Sequence, residues 1–413
     1  MPAGGGRELN RGGELADRLA ALPPDAWRGL TRLWGLLPRA RLVGGVVRDL
    51  LAGRAVADID MGTPEPPERV QAILTGAGIK VVATGLAHGT VTAVIDGRPY
   101  EITTLRRDER TDGRHAVVAW TDDWEEDAAR RDFTINAMSC DRDGVVHDYF
   151  GGRVDLAAGR VRFVGDAAAR IREDALRVLR FFRFHARYGR GAPDGAAMDA
   201  IVACRDGLCR LSAERVWSEL RRILMGPAVV ATLTLMAECG VLAILLPEGC
   251  DLPALARLIG SGAPDDAVLR LAVLARAEPE ELAGRLRLSR ADVAALFAIR
   301  SGPEPDPALE DDDRRRLLAD EPAQALVGRS WRVQAERLGT ASPLWDALRA
   351  DLLARARPVF PLAGRDLVQA GIAPGPRVGQ VLEQVRAWWH AGGCRAGRRA
   401  CLAQLERLTA GTA

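Results

Sequence analysis

The feature that most restricts the fold of this chain is a change in hydrophobic periodicity near Asp166. Before it, β-branched runs alternate with helical segments, and residues 91–95 and 100–104 flank Asp96-Gly97, a dipeptide favoured in hairpin turns. Beyond it, apolar residues recur at helical spacing to the C-terminus, with Gly- and Pro-rich breaks between successive segments. The sequence therefore predicts an α+β protein, with a small mixed or antiparallel sheet in an N-terminal head and an all-helical remainder.

The length of 413 residues indicates several domains rather than one compact core. We predict a catalytic head over residues 1–160, a helical neck over 161–245, a helical body over 246–345 and a helical tail over 346–413. Within the head we expect one or two helices before residue 40, a strand at 41–43, a helix ending at Leu51, and a second strand from Val56 to Met61.

The composition is that of a soluble globular protein, with 48% hydrophobic and 27% charged residues. Because no apolar run reaches about 18 residues, we expect no membrane span. The N-terminal segment lacks the apolar core of a signal peptide, and we predict a cytoplasmic protein. The seven cysteines lack the paired spacing of a zinc site, so we expect reduced thiols.

Two aspartates, Asp58 and Asp60, flank Ile59 on the second predicted strand. Side chains at positions i and i+2 of a strand share a face, so both carboxylates would project together while Ile59 faces the core. Adjacent carboxylates repel each other unless a cation intervenes. One magnesium ion, or two about 3.5–4 Å apart, would relieve this repulsion and suit in-line phosphoryl transfer.

A second feature precedes these aspartates. Gly44-Gly45 would let backbone amides approach a triphosphate, with Arg48 one helical turn later as a charge partner. An isolated Asp-x-Asp or Gly-Gly is common in ordinary strands and turns. The combined spacing is more specific, but from these residues alone a purely structural explanation stays open.

A predicted helix over residues 171–187 places several arginines opposite an apolar arc. Asp174 precedes Arg177 by three residues, which an ordinary ion pair on a solvated face would explain. Alternatively, an acceptor beside a donor matches cytosine and adenine, which both present an amino group next to a ring nitrogen. Guanine and uracil present the reverse and would leave unpaired groups. The predicted apolar arc consists of Ile171, Ala175, Val178, Leu179, Phe182 and Ala186.

These segments resemble, in order along residues 40–190, the motifs of class II CCA-adding enzymes and bacterial poly(A) polymerases of the polymerase-β-like superfamily. The matching segments are the Gly-Gly and Asp-x-Asp region, the loop and strand at 85–92, the ribose-contacting motif at 130–138 and the base-recognition helix at 171–180. Weaker similarity follows at 211–224 and 364–381. The resemblance implies template-independent addition of C and A from CTP and ATP to the 3′ end of tRNA, with release of pyrophosphate.

The resemblance also implies roles for individual residues. Asp58 and Asp60 would hold catalytic magnesium in a two-metal site, and Glu101 is a candidate third carboxylate, with Asp96 and Asp108 as alternatives. No residue is assigned as the base that deprotonates the 3′-hydroxyl.

The remaining implied roles concern nucleotide binding. Asp174 and Arg177 would form the protein template for the base, while Arg180 and Arg183 would reach phosphate or sugar. Arg131 and Asp132, ahead of a buried Phe133, would clamp a 2′-hydroxyl and a phosphate. For an isolated Arg-Arg-Asp run, a surface segment that caps a helix is the common alternative.

The segment at 366–379 predicts a helix, a Gly/Pro turn and a second helix whose backbone amides could face a phosphate. Basic residues follow near Trp388-Trp389, and the resemblance implies that this arm contacts the tRNA elbow. Two packed helices with a solvated basic face explain the residues equally well. The basic residues are Arg395, Arg398, Arg399 and Arg407.

Three alternatives remain open. A poly(A) polymerase, or an enzyme that adds only A or only C, would share the chemistry; the absence of an extra basic stretch after Asp-x-Asp favours CCA addition. A non-catalytic RNA-binding protein would be expected to lose a carboxylate or a template residue. None of these residues is missing, namely Asp58, Asp60, Asp174 and Arg177. A transferase for small molecules is disfavoured by the helical arm. The sequence leaves the oligomeric state open.

Overall fold

The computed structural model describes residues 12–56, 58–85, 89–111 and 116–410 of the chain. In these residues, all strands lie before α6, and helices follow to the C-terminal end. The strands are β1 Arg41–Val43, β2 Asp60–Thr63, β3 Lys80–Gly85, β4 Thr90–Ile95, β5 Arg98–Thr104, β6 Arg106–Thr111, β7 Ala116–Trp120, β8 Ser139–Cys140 and β9 Val146–His147.

The helices of the N-terminal half are α1 Gly12–Ala20, α2 Pro24–Leu36, α3 Gly45–Leu51, α4 Pro67–Gly76, α5 Trp124–Ala129, α6 Gly152–Ala158, α7 Ala167–Glu173, α8 Leu176–Tyr188, α9 Gly195–Cys204 and α10 Ala213–Leu224. Those that follow are α11 Val229–Glu238, α12 Val241–Leu245, α13 Leu252–Gly260, α14 Ala267–Leu274, α15 Pro279–Leu286, α16 Arg290–Arg300, α17 Asp311–Asp320, α18 Ala323–Arg337, α19 Pro343–Ala354, α20 Gly364–Gln369, α21 Pro376–Ala391 and α22 Arg398–Ala410.

The main sheet has seven strands in the order β3-β4-β5-β2-β1-β8-β9, and β6 and β7 form a separate pair. Strands β2 and β5 are parallel, whereas the other neighbours are antiparallel. Positive φ angles at Asp96 (51°) and Gly97 (78°) shape the β4–β5 turn, as a two-residue type I′ hairpin requires. The predicted α+β fold with a small mixed sheet is confirmed.

The second strand differs from its predicted bounds. It was expected from Val56 to Met61, but β2 begins at Asp60 and continues to Thr63. Its start is set by pairing, because Asp60 is the first β2 residue opposite β5 and Met61 the first opposite β1. Asp58 therefore lies just before the strand, while Ile59 is buried, as the side-chain alternation predicts.

The helices before the sheet follow the predicted periodicity. In α2, Pro24 occupies the first turn, where its missing N–H costs no hydrogen bond, and Asp25 complements the positive end of the helix. Leu15 and Leu19 of α1 pack with Leu30 and Leu33 of α2 in the core that includes the sheet residues Leu42 and Met61. Burial of these apolar side chains joins both helices to the sheet.

The helix predicted over residues 171–187 is two helices. The backbone leaves the helical region at Asp174 (φ −151°, ψ 103°), and its carboxylate accepts a hydrogen bond from the Leu176 amide at 3.1 Å. A short acidic side chain that bonds the backbone in this way competes with helix continuation. Of the predicted apolar arc, Ala175 and Ala186 are partly exposed and the other four residues are buried. Phe181 and Phe184 are buried in addition, because α8 begins anew after the break.

The chain divides into two compact units. The first runs to Glu219 and includes Gly226–Ala228 and Leu235–Ile244, and the second comprises Leu220–Met225, Val229–Thr234 and the chain from Leu245 onward. The second unit is helical, with one apolar cluster around Trp345 and another around Trp389. All seven cysteines are free, as predicted. In the described parts of the chain, no helix is both long and apolar enough to span a bilayer.

Candidate active site

Three carboxylates meet at the β2–β5 pair. The parallel register sets Asp60 opposite Glu101, and the Glu101 amide donates to the Ile59 carbonyl at 3.2 Å. Asp58, Asp60 and Glu101 line one cavity of about 650 Å³. The structure thus brings together the predicted pair and the candidate third carboxylate. The rest of the cavity lining consists of Asp25, Ile59, Asp96, Gly97, Arg98 and Pro99.

The cavity lining contains five carboxylate residues and one arginine. Burial, together with the charges of Glu101 and Asp58, raises the pKa of Asp60 to about 6, against the opposing effect of the Arg131 charge. A carboxyl group in this setting gains stability from a nearby cation. Across the described residues, no group of three or more His, Cys, Asp or Glu side chains is arranged to hold a metal ion, so a cation here would rest on fewer protein ligands.

The glycine pair begins α3. Gly44 has a φ of +68°, and a Cβ atom there would lie 2.7 Å from Nη1 of Arg131. Only glycine fits this backbone conformation and this approach without strain. The Gly44 amide donates to the Met138 carbonyl at 3.1 Å, so it is already engaged, while Gly45 starts the helix.

Arg48 lies inside the protein and is only 8% exposed. Its Nη1 donates to Oδ1 of Asn136 at 2.5 Å, and it pairs with Asp49 at 3.0 Å. The guanidinium also lies 4.4 Å from the ring centre of Tyr188. Arg48 thus joins α3 to the segment after Asp132 and to the end of α8, and it does not line the carboxylate cavity.

Asp132 is buried with both carboxylate oxygens bonded. Oδ1 accepts from the Phe133 amide at 2.8 Å and from Asn136 at 2.9 Å, and Oδ2 accepts from Arg180 at 2.7 Å. These donors lower the pKa of Asp132 against the effect of burial. Phe133 is fully buried, as predicted, in a cluster of phenylalanine rings.

The candidate template residues each have internal partners. Oδ2 of Asp174 accepts from Arg215 of α10 at 2.8 Å. Arg177 donates to Glu173 at 2.6 Å and to the Arg130 carbonyl at 3.0 Å. Both side chains are therefore fixed before any base arrives.

Arg180 and Arg183 each face a carboxylate. Arg180 pairs with Asp132, and Arg183 donates to Glu219 of α10 at 2.6 Å. The sequence interpretation expected these arginines at phosphate or sugar, and it missed Glu219, Arg215 and Asn136. Asn136 lies within the 130–138 motif, whereas Glu219 and Arg215 carry no local sign that they approach α8.

Two sequence predictions concern groups outside the described part of the structure. Residues 86–88 of the loop at 85–92 are not among the described residues, and neither is the side chain of Asp108.

The basic residues of the C-terminal tail differ in their partners. Arg395 pairs with Asp311 and Asp312, and Arg398 pairs with Asp366 at 2.7 Å. Arg399 and Arg407 are exposed on α22.

Two family models match the chain. One is described as the Poly A polymerase head domain and covers residues 40–162. The other is described as the probable RNA and SrmB-binding site of polymerase A and covers residues 193–252. The first contains β1 through β9, including the three carboxylates Asp58, Asp60 and Glu101.

Individual relatives match over most or half of the chain. CCA tRNA nucleotidyltransferase 1, mitochondrial, of Danio rerio is 36% identical over 366 residues, which are 84% of this chain and 83% of the relative. The CCA-adding enzyme of Geobacillus stearothermophilus is 42% identical over 209 residues, 50% of each protein. The crystal structure of the Bacillus stearothermophilus CCA-adding enzyme in complex with CTP has a TM-score of 0.75 and 27% identity, over 95% of this chain and 99% of that chain.

These comparisons correct the predicted location. The relatives from Danio rerio, Mus musculus and Homo sapiens are all named as mitochondrial proteins, which contradicts the cytoplasmic prediction. That prediction used the lack of an apolar signal core, which argues only against secretion. Mitochondrial transit peptides are amphipathic and arginine-rich, so hydropathy does not separate them from a cytoplasmic N-terminus.

Proposed function

This chain belongs to the family of class II CCA-adding enzymes and is a nucleotidyltransferase, and from this premise we propose that it adds C and A from CTP and ATP to the 3′ end of tRNA. The animal relatives are named CCA tRNA nucleotidyltransferases, and the Bacillus stearothermophilus neighbour was crystallised with CTP. The observation that carries the proposal is the meeting of Asp58, Asp60 and Glu101 at one cavity in this family's head domain.

The reaction is a nucleotidyl transfer. The 3′-hydroxyl oxygen of the tRNA forms a bond to the α-phosphorus of CTP or ATP, the bond from that phosphorus to the bridging oxygen breaks, and pyrophosphate leaves. The hydroxyl proton passes to a base. Positioning and stabilisation of charge supply most of the catalysis in such transfers.

The family implies a divalent cation, and we infer that it is Mg²⁺ held by Asp58 and Asp60. Burial and the repulsion from Glu101 and Asp58 destabilise the charged form of Asp60, and a nearby cation would stabilise it. Protein Mg²⁺ sites commonly use one or two carboxylates together with substrate phosphates. A bound divalent ion would stabilise the charge on the transferring phosphoryl group. Dialysis against a chelator should abolish incorporation, and Mg²⁺ should restore it; no requirement for a divalent ion would contradict this part.

We infer that Asp174 and Arg177 read the base, since each side chain is fixed by a partner at the α7–α8 break: Arg215 donates to Asp174, and Arg177 donates to Glu173. Arg131 is the proposed phosphate contact, because it lies against Gly44 and its charge lowers the pKa of Asp60. Asp132, Arg48, Arg180 and Arg183 contribute by fixing these groups. The division into head, neck, body and tail, with the tail on the tRNA elbow, remains part of the proposal.

The decisive experiment supplies purified protein with tRNA that ends before CCA. CTP alone should add two residues, ATP alone should add none, and the two together should add CCA and stop. Long A tails would identify a poly(A) polymerase. Addition limited to C, or to A on a tRNA ending in CC, would identify a partial enzyme, and no incorporation under any condition would reject the function.

A further inference from the structure

A buried aspartate on α5 serves two arginines at once. Asp127 is only 3% exposed. Oδ1 accepts from Nε of Arg130 at 2.9 Å, and Oδ2 accepts from Nη2 of Arg131 at 3.1 Å. The two guanidinium groups lower the pKa of the Asp127 carboxyl, although burial alone would raise it. The group is therefore a carboxylate, and its burial keeps it from touching a substrate itself.

Arg131, one of these two arginines, contacts the Gly44-Gly45 turn. While Nη2 of Arg131 is bound to Asp127, Nη1 lies 3.4 Å from the Asn136 carbonyl and 2.7 Å from where a Gly44 Cβ would be. Arg131 is thus held against the Gly44 turn that precedes α3.

Arg130, the other arginine, contacts Arg177, one of the two residues proposed to read the base. The Arg130 carbonyl accepts a hydrogen bond from Nη2 of Arg177 at 3.0 Å. Oδ1 of Asp127 also accepts from the Arg106 amide at 3.3 Å, at the start of β6. Asp127 therefore fixes the Arg130-Arg131 segment. This segment contains Arg131, the proposed phosphate contact, and bonds Arg177, the proposed base contact.

We propose that Asp127 is a positioning residue that holds Arg131 in place for the triphosphate of the incoming nucleotide, an inference that rests on the proposed function. Without the Asp127 carboxylate, the guanidinium groups of Arg130 and Arg131 would repel each other. Arg131 would also lose the carboxylate that fixes its orientation. Its guanidinium would then no longer be held in position to donate to the phosphate.

The test is a double-mutant cycle on CTP binding, with Asp127→Asn, Arg131→Ala and the double variant. The dissociation constant for CTP is measured by calorimetry, with KM for tRNA measured alongside. Asp127→Asn should weaken CTP binding at least about tenfold and leave KM for tRNA unchanged. In the Arg131→Ala background, Asp127→Asn should have no further effect, because the arginine through which it acts is gone.

Asp351 of α19 is the matched control. It too pairs with two arginines, Arg314 at 3.2 Å and Arg355 at 2.8 Å, and it lies outside the segments assigned to nucleotide binding. Asp351→Asn should lower the thermal midpoint as Asp127→Asn does, but leave CTP binding unchanged. If both asparagine variants weaken CTP binding equally, or if Asp127→Asn weakens it further in the Arg131→Ala background, the proposal is overturned.

If Asp127→Asn does not fold, Asp127→Glu enters the same cycle, since it retains the charge while displacing the carboxylate by one methylene. The same two outcomes then decide the proposal. Failure of the proposed function remains distinguishable, because it is seen in the products made by the unmodified protein on tRNA. The cycle depends only on CTP binding.

Discussion

Asp58 and Asp60 lie in different environments although one residue separates them. Asp58 is exposed, whereas Asp60 is partly buried and has a pKa raised to about 6. The exposed carboxylate can adjust to a cation, while the partly buried one is less stable in its charged form and would be stabilised by a cation. The pair therefore combines one group that is fixed by the sheet with one that precedes it.

Replacing Asp58 by alanine tests the metal role. A metal ligand contributes several kcal/mol to the stabilisation of the transition state, so incorporation of both C and A should fall on the order of a thousandfold. Binding of tRNA should stay nearly unchanged in a filter-binding assay. The control is Asp25→Asn, which alters the same cavity from α2 and should leave incorporation nearly unchanged. Incorporation by Asp58→Ala near the unmodified level would reject the assignment.

Asp174 offers a test of base choice. Asp174→Ala removes the acceptor for the amino group of cytosine or adenine, so the preference for CTP and ATP over UTP and GTP should fall at least about tenfold. Single-nucleotide incorporation with each triphosphate measures this ratio. Arg172→Ala, an exposed change on α7, should leave the ratio unchanged. An unaltered ratio in Asp174→Ala would disprove the template role.

At the scale of elements, local signals predicted what local interactions determine. The hairpin at Asp96-Gly97, the helices α1 and α2 and the glycine-led start of α3 all follow from turn residues and periodicity. The start of β2 could not be predicted in this way, because it is set by pairing with β5. That strand is adjacent in the sheet but follows β3 and β4 in the sequence. The helix break at Asp174 depends only partly on a local signal: the Leu176 amide bonds one carboxylate oxygen, and Arg215 of α10, which is distant in sequence, bonds the other.

The turn into α3 yields a prediction about one element. Gly44→Ala would place a methyl group 2.7 Å from Arg131 Nη1 at a φ of +68°. The backbone strain should cost about 1–2 kcal/mol of unfolding free energy, and the displaced Arg131 should raise KM for CTP and ATP together. Urea unfolding and initial rates measure the two effects. Gly35→Ala, in α2 with open space around it, should change neither KM; a normal KM in Gly44→Ala would refute the packing argument.

Over the whole molecule, charge is balanced in detail as well as in total. The chain has 57 basic and 55 acidic residues, a net charge of +2. Many arginines are engaged internally: Arg329 is 1% exposed and bonds backbone carbonyls, and Arg270 is also buried. A net charge near zero therefore gives no information on RNA binding. Only the arginines that lack an internal partner are available to a polyanion.

The tail separates these two kinds of arginine and allows the last prediction. No carboxylate in the described parts of the chain pairs with Arg399 or Arg407, whereas Arg395 is bound to Asp311 and Asp312. If Arg399 and Arg407 neutralise RNA phosphates, the double variant Arg399→Ala/Arg407→Ala should bind tRNA more weakly. The slope of log K against log salt should become shallower by about 1.5, since each phosphate contact contributes about 0.7–0.9. Arg395→Ala, the matched control, should lower the thermal midpoint and keep the slope. An unchanged slope in the double variant would leave these arginines as a solvated face and exclude them from the tRNA contact.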